Sequence, residues 1–192
     1  MNRRHALMLF ALLPLAGCGS SPPTRFFILR AVPPRTPARV AGSGPPVQVA
    51  PVTLPAALDR ASLVTGGAGN RIEVSDRDRW VAPLDGLVRQ TLSDDLRARL
   101  PAGQVLDPGT PAPAGGMRSV NLVVQHFMAE SGGPVVLEGD WTVSLAGGNR
   151  HTPPVTHHER VQAAVTGQDG EAVAAAMSQA LGELADRIAA GL

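Results

Sequence analysis

The stretch Val135 to Leu145 alternates strictly. Val135, Leu137, Trp141, Val143 and Leu145 share one side, and Val136, Glu138, Asp140, Thr142 and Ser144 take the other. A period of two means an extended strand with one dry and one wet face. Arg118 to Glu130 precedes it as a second long strand, and Ser131-Gly132-Gly133-Pro134 is a hairpin-length connection. A one-sided sheet must have apolar surface laid on its dry face, and two segments can supply it. From Pro83, the residues Leu84, Leu87, Val88, Leu92, Leu96 and Leu100 recur at helical spacing, with Asp85 in the positive first turn and Pro101 as the stop. From about Asp169 to Ala190, Val173, Met177, Ala180, Leu181, Leu184 and Ile188 do the same. These elements predict one α+β domain, a largely antiparallel sheet with two helices packed on one face.

Shorter elements complete this reading. Arg25 to Arg30 reads as a first strand between Pro22-Pro23 and Pro33-Pro34, and Val47 to Leu54 as a second, with Pro51 marking an edge or a bulge. Gly66 to Gly69 is a turn before a strand at Arg71 to Ser75, and Val155 to Thr166 adds a last strand. Residues 31–46 hold five prolines and read as a solvated loop; 101–117 is another, with a brief strand near Val105. No fixed-period repeat appears, and the 192 residues need no second domain.

Composition excludes several functions. The chain has 17 basic residues, all Arg, against 16 acidic ones, too balanced for a nucleic-acid partner. One cysteine rules out a disulfide framework and a four-cysteine metal site. Six aromatic residues, none of them Tyr, do not furnish base-stacking or sugar-binding surfaces.

The start of the chain is an export signal. Asn2-Arg3-Arg4-His5 is followed by an 11-residue apolar run, Ala6 to Ala16, too short to span a bilayer. It ends in Leu15-Ala16-Gly17-Cys18, which resembles the bacterial lipoprotein signal-peptidase box in all four positions. Residues 1–17 therefore read as a signal peptide, 18–24 as a lipidated N-terminus with a short tether, and 25–192 as the domain. Cys18 is the expected acyl acceptor, and multiple acyl chains anchor stably where one short chain does not. Gly19 is not the Asp that holds such lipoproteins in the inner membrane, so the outer membrane is favoured, with the domain facing the periplasm. Arg3-Arg4 also loosely resembles a twin-arginine signal, which leaves the export route open between that and Sec.

Catalytic patterns are absent. His157 and His158 are adjacent on a strand and point to opposite faces, so they cannot share one ion; with His126, His151 and Glu159 they read as polar strand surface. There is no Gly-x-Ser-x-Gly elbow, and no Lys-Ser/Thr follows the glycine turn as a phosphate loop requires. Asp76, Asp78, Asp94 and Asp95 are interleaved with Arg and read as solvated surface. No enzyme activity, metal or cofactor is expected.

Two features remain. Pro51-Val-Thr-Leu-Pro55 with Leu58-Asp59-Arg60 is a rigid segment ending in a charged pair. Arg60 either closes a local salt bridge on a turn or belongs to a partner-contact loop. Trp80, just before the helix, is either a core anchor or a binding residue, with the core role favoured.

These same residues resemble the ABC-type transport auxiliary lipoprotein family, the PqiC-like proteins. The likeness runs through Val47–Val64, Asn70–Val74, Trp80-Val-Ala-Pro83-Leu84 and the helix to Leu100, with Phe26–Leu29 and the alanine-rich last helix in keeping. Ala57 and Ala61-Ser62 depart from the family pattern of a bulky aromatic and Pro-Gln. The resemblance implies an outer-membrane-anchored accessory of a transporter bearing mammalian-cell-entry domains, a system that moves phospholipid or other hydrophobic molecules between two membranes. It carries over Cys18 as anchor and Pro51, Pro55, Asp59, Arg60, Trp80 and Pro83 as fold or contact positions. It also leaves room for a homo-oligomer around the partner. A structural or assembly lipoprotein, supporting an outer-membrane protein or a cell-wall enzyme, is the alternative.

Overall fold

A computed structural model describes residues 22–35, 44–146 and 153–192. The expected signal peptide, Cys18 and His151 lie outside the described residues. In chain order the elements are β1 (Arg25–Phe27), β2 (Val47–Val49), β3 (Ser62–Gly66), β4 (Ile72–Trp80), α1 (Leu84–Arg99), β5 (Met117–Ala129), β6 (Val135–Ala146), β7 (Val155–Ala163) and α2 (Gly170–Gly191).

The strands form one mixed sheet in the order β1-β4-β3-β5-β6-β7, with β2 also on β5. The long ladders, β5–β6 and β6–β7, are antiparallel, as is β3–β4. The pairings β1–β4, β2–β5 and β3–β5 are parallel and short. One edge of β5 is shared: β2 lies along its start at Arg118–Val120, and β3 meets its end where Thr65 pairs with Ala129. The register of β5 against β6 shifts between Val124 and His126, a bulge opposite Gly139. A Cβ at Gly139 would lie 2.5 Å from the Val123 carbonyl oxygen, so glycine is what lets the two backbones close here.

The helices form as their spacing predicts. Pro83 caps α1 instead of opening it, Asp85 sits in the first turn, and Arg97 and Arg99 sit in the last, where they complement the helix dipole. In α2 the Asp169 side chain caps the N-terminus, accepting from the Ala172 amide at 2.9 Å. Both helices lie on the dry face. α2 packs on β5, β6 and β7, and α1 packs on α2 and β2. A single core joins Val120, Leu122, Val124 and Phe127 of β5 and Leu137 and Trp141 of β6 to Leu92 and Leu96 of α1 and Leu181, Leu184 and Ile188 of α2.

The wet face is a hydrogen-bonded surface. Gln125 donates to Asp140 at 2.7 Å, the Asp140 carboxylate also meets His158 Nδ1 at 2.8 Å, Arg160 pairs with Glu138, and Thr142 meets Thr156 at 2.9 Å. His157 points the other way, stacked on Trp141 with ring centroids 4.1 Å apart. The opposition of the two adjacent histidines is as the strand period requires.

The structure corrects several expectations. The first strand ends at Phe27, because the chain then leaves the sheet to cross the helices. The second is regular only to Val49, since Pro51 has no amide to donate; a lone bridge from Thr53 to Val123 resumes the pairing. The strand expected at Arg71–Ser75 runs to Trp80, and Ser62–Gly66, which sequence periodicity did not single out, is a strand beside it. Val136, assigned to the wet side, is nonetheless buried, outside the main core. Asp78 and Asp95 are not solvated surface: both are buried.

Candidate functional site

Two features carry the residues of interest, a strap that runs from β1 across the helices and the loop after β2. The strap begins with Arg25, paired in register with Asp78 of β4. Its guanidinium donates to both carboxylate oxygens, at 2.8 and 3.1 Å, a fork geometry suited to arginine. Asp78 also lies against Gly170, the first residue of α2, where a Cβ would come within 2.8 Å of its carboxylate. The negative side chain thus sits at the positive end of that helix.

Beyond Phe27 the strap crosses both helices. Leu29 is buried, the Arg30 amide donates to Ser178 Oγ at 3.1 Å, and the Val32 amide donates to Asp95 Oδ1 at 2.8 Å. Arg99 closes the arrangement from within. Its Nη1 donates to the Val32 carbonyl at 3.0 Å and to Asp95, its Nη2 to the Gly182 carbonyl at 2.9 Å, and its Nε to Asp186 at 2.7 Å. Burial pushes the Asp95 carboxyl up from its ordinary 3.8 to about 6, against the Val32 amide and Arg99, which favour the charged form. Asp95 Oδ2 has no partner among the described residues. Strap, α1 and α2 are therefore joined through one buried polar knot.

The second feature is the loop from Ala50 to Ala61. Its first half follows β5, with Ala50 and Thr53 donating to the Val120 and Leu122 carbonyls at 2.9 and 3.0 Å, while Pro51 faces outward. A turn follows in which Leu58 donates to the Pro55 carbonyl at 2.9 Å and Arg60 to that of Leu58 at 2.8 Å. Leu58 is buried and shares a tight apolar junction with Trp80 of β4 and Leu84 of α1. The Trp80 amide then donates to the Ala61 carbonyl at 2.7 Å. Pro55 is half-buried, Pro83 is exposed, and Trp80 is a core residue.

The structure thus brings together Pro55, Asp59, Arg60 and Trp80 around Leu58, with Pro83 next in the chain to Leu84 of the same junction, while Pro51 stands apart on the stretch that follows β5. Asp59 and Arg60 both project from this pinned turn into solvent. They do not form the local salt bridge considered from sequence, and neither has an ion-pair partner among the described residues. No three metal-ligating side chains converge among the described residues.

Sequence reasoning missed Asp95, Arg99 and Asp186. The signal was present for two of them: positions 92, 95, 96 and 99 share one face of a helix, so Asp95 and Arg99 belong to the same stripe as Leu92 and Leu96. Their charge disguised their position.

A family model described as the ABC-type transport auxiliary lipoprotein component matches residues 27–189. The intermembrane transport lipoproteins PqiC of Escherichia coli (strain K12) and Shigella flexneri are each 27% identical over 143 residues, 73% of this chain and 74% of theirs. Two solved structures share the fold. One, of an uncharacterized protein, has a TM-score of 0.73 at 18% identity, over 88% of this chain and 99% of its own. The other, from Xanthomonas campestris, has a TM-score of 0.62 at 16% identity, over 86% and 92%. With the family match running across strap, loop, sheet and both helices, this chain belongs to the family of ABC-type transport auxiliary lipoprotein components.

Proposed function

We propose that the chain is the outer-membrane-anchored, periplasm-facing accessory of an intermembrane lipid transport system, and that it docks a partner bearing mammalian-cell-entry domains. The observation that carries the reading is the family match over residues 27–189, joined to Leu15-Ala-Gly-Cys18 ahead of it. The family is one of transport components and not of enzymes, and its curated relatives are intermembrane transport lipoproteins. Residues 1–17 act as the signal, Cys18 carries the lipid, and 25–192 form the docking domain.

The loop after β2 is the proposed docking element. It presents Pro51 outward on the stretch that follows β5, and Asp59 and Arg60 outward on a turn that Leu58, Trp80 and Leu84 hold in place. A preformed loop whose cation and anion have no ion-pair partner among the described residues loses little freedom on binding. The free charges favour a partner of complementary charge.

The test is site-specific photo-crosslinking in cells, with the crosslinker at position 60 and, as a control, at Val155 on β7. Position 60 should capture the mammalian-cell-entry protein and position 155 should not. Capture of a cell-wall enzyme or an outer-membrane protein at position 60 would favour the assembly reading instead.

A further inference from the structure

We infer that Phe26 and Ile28, with the groove between the strap and α2, rest on the surface of the phospholipid bilayer to which the chain is anchored. The mature chain has five aromatic residues, and the core takes up Trp80, Phe127 and Trp141 fully and Phe27 in part. Phe26 alone stands out, 64% exposed, and Ile28, two residues on, is 41% exposed. Both line an open groove of about 510 Å³ whose far wall is Ala174, Ala175 and Ser178 of α2. A large exposed aromatic beside an apolar groove marks a surface that something covers.

The position of this groove along the chain identifies the occupant, and here the inference rests on the proposed lipidation of Cys18. Seven peptide steps separate Cys18 from Arg25, at most about 25 Å of extended chain. The groove therefore never leaves the neighbourhood of the membrane. Its rim suits a phospholipid surface: Arg30 lines it, Arg79 is the register partner of Phe26, and both are exposed with no ion pair among the described residues. Glu171 is the one acidic side chain on the wall. An apolar side chain seated at headgroup depth with arginines beside it is the arrangement of an interfacial anchor. Because the buried knot holds the strap rigidly to α1 and α2, contact through Phe26 fixes the orientation of the whole domain, which the lipid tether alone would leave free.

The experiment uses the full lipidated protein in vesicles of phosphatidylethanolamine and phosphatidylglycerol, with and without brominated phospholipid. Phe26→Trp and Ile28→Trp each add one reporter to the two core tryptophans; Val155→Trp places a control on β7, at the opposite edge of the sheet from β1. Flotation with the vesicles reads the anchor, and bromine quenching beyond that of the wild type reads the groove. The expected result is flotation of every variant, with extra quenching and a blue shift at positions 26 and 28 and neither at 155. Flotation with equal quenching at all three positions would overturn the inference while leaving the anchor standing. A blue shift at 26 and 28 already present in detergent and unchanged by vesicles would overturn it in favour of a second copy covering the groove. A chain that fails to float would overturn the anchoring and this inference together.

Discussion

Arg99 of α1 and Asp186 of α2 are joined by a 2.7 Å hydrogen bond across the helix pair, and the remaining donors of that guanidinium bind Asp95 and the Val32 and Gly182 carbonyls. Removing the cation leaves Asp95 buried without its counter-ion. Arg99→Ala should lower stability by about 3–5 kcal/mol, and Arg99→Lys should recover little of it, because an ammonium cannot span these acceptors as a fork does. The double variant Asp95→Leu/Arg99→Met should be closer to wild type, since it removes both buried charges and leaves only Asp186, which solvent reaches. Urea unfolding of the three variants checks the order. A double variant as unstable as Arg99→Ala would mean that packing volume, not charge, is what the knot supplies.

The same carboxyl gives a pH signature. Asp95 titrates at about 6 in the folded chain and near its ordinary 3.8 unfolded, so between those values the folded state binds more protons. Its contribution to stability therefore falls as pH rises through the window, by about 3 kcal/mol in all. In Asp95→Asn that dependence should vanish. The measurement is wild-type stability minus variant stability from pH 3.5 to 7. A flat difference would show that Asp95 is not shifted, and a rising one that Arg99 holds it ionised.

Gly139 faces the β5 bulge so closely that an added Cβ would stand 2.5 Å from the Val123 carbonyl oxygen. Neither backbone can yield without breaking the ladder from Val120 to Ala129. Gly139→Ala should cost about 1–3 kcal/mol, whereas Gly86→Ala, where nothing lies within 4 Å of the added Cβ, should be neutral or slightly stabilising. Thermal unfolding of the pair separates crowding from backbone freedom; equal melting temperatures would remove the crowding argument.

Trp80 and Arg60 lie on one loop junction, the first buried and the second exposed. Trp80→Ala empties the junction with Leu58 and Leu84 and should destabilise by about 3–5 kcal/mol. Arg60→Ala should leave the melting temperature unchanged and weaken binding of the transport partner. Calorimetry and a partner pull-down read the two effects. Full partner binding by Arg60→Ala would remove the loop from the docking surface.

What the sequence determined by itself were the features set by local periodicity and local chemistry. Residue spacing specified both helices to within a residue or two, the long β5–β6 hairpin, and the opposed faces of His157 and His158, because each depends only on near neighbours in the chain. The rigid Pro51–Pro55 segment, the charged pair after it and their resemblance to a family were legible for the same reason, although the strand read over Val47–Leu54 gives way to a loop after Val49. Tertiary structure alone decided the rest. β3 owes its strand character to pairing with β4, and β1, a strand by its sequence, stops at Phe27 where its pairing with β4 ends. The fate of the charges was settled likewise: Asp94 and Asp95 are adjacent and chemically identical, yet one lies toward solvent beside Arg97 and the other is sealed beneath the strap. Burial of a charge requires a partner brought from elsewhere, here Val32 from the strap and Asp186 from the last helix, and no local pattern encodes where those segments will cross.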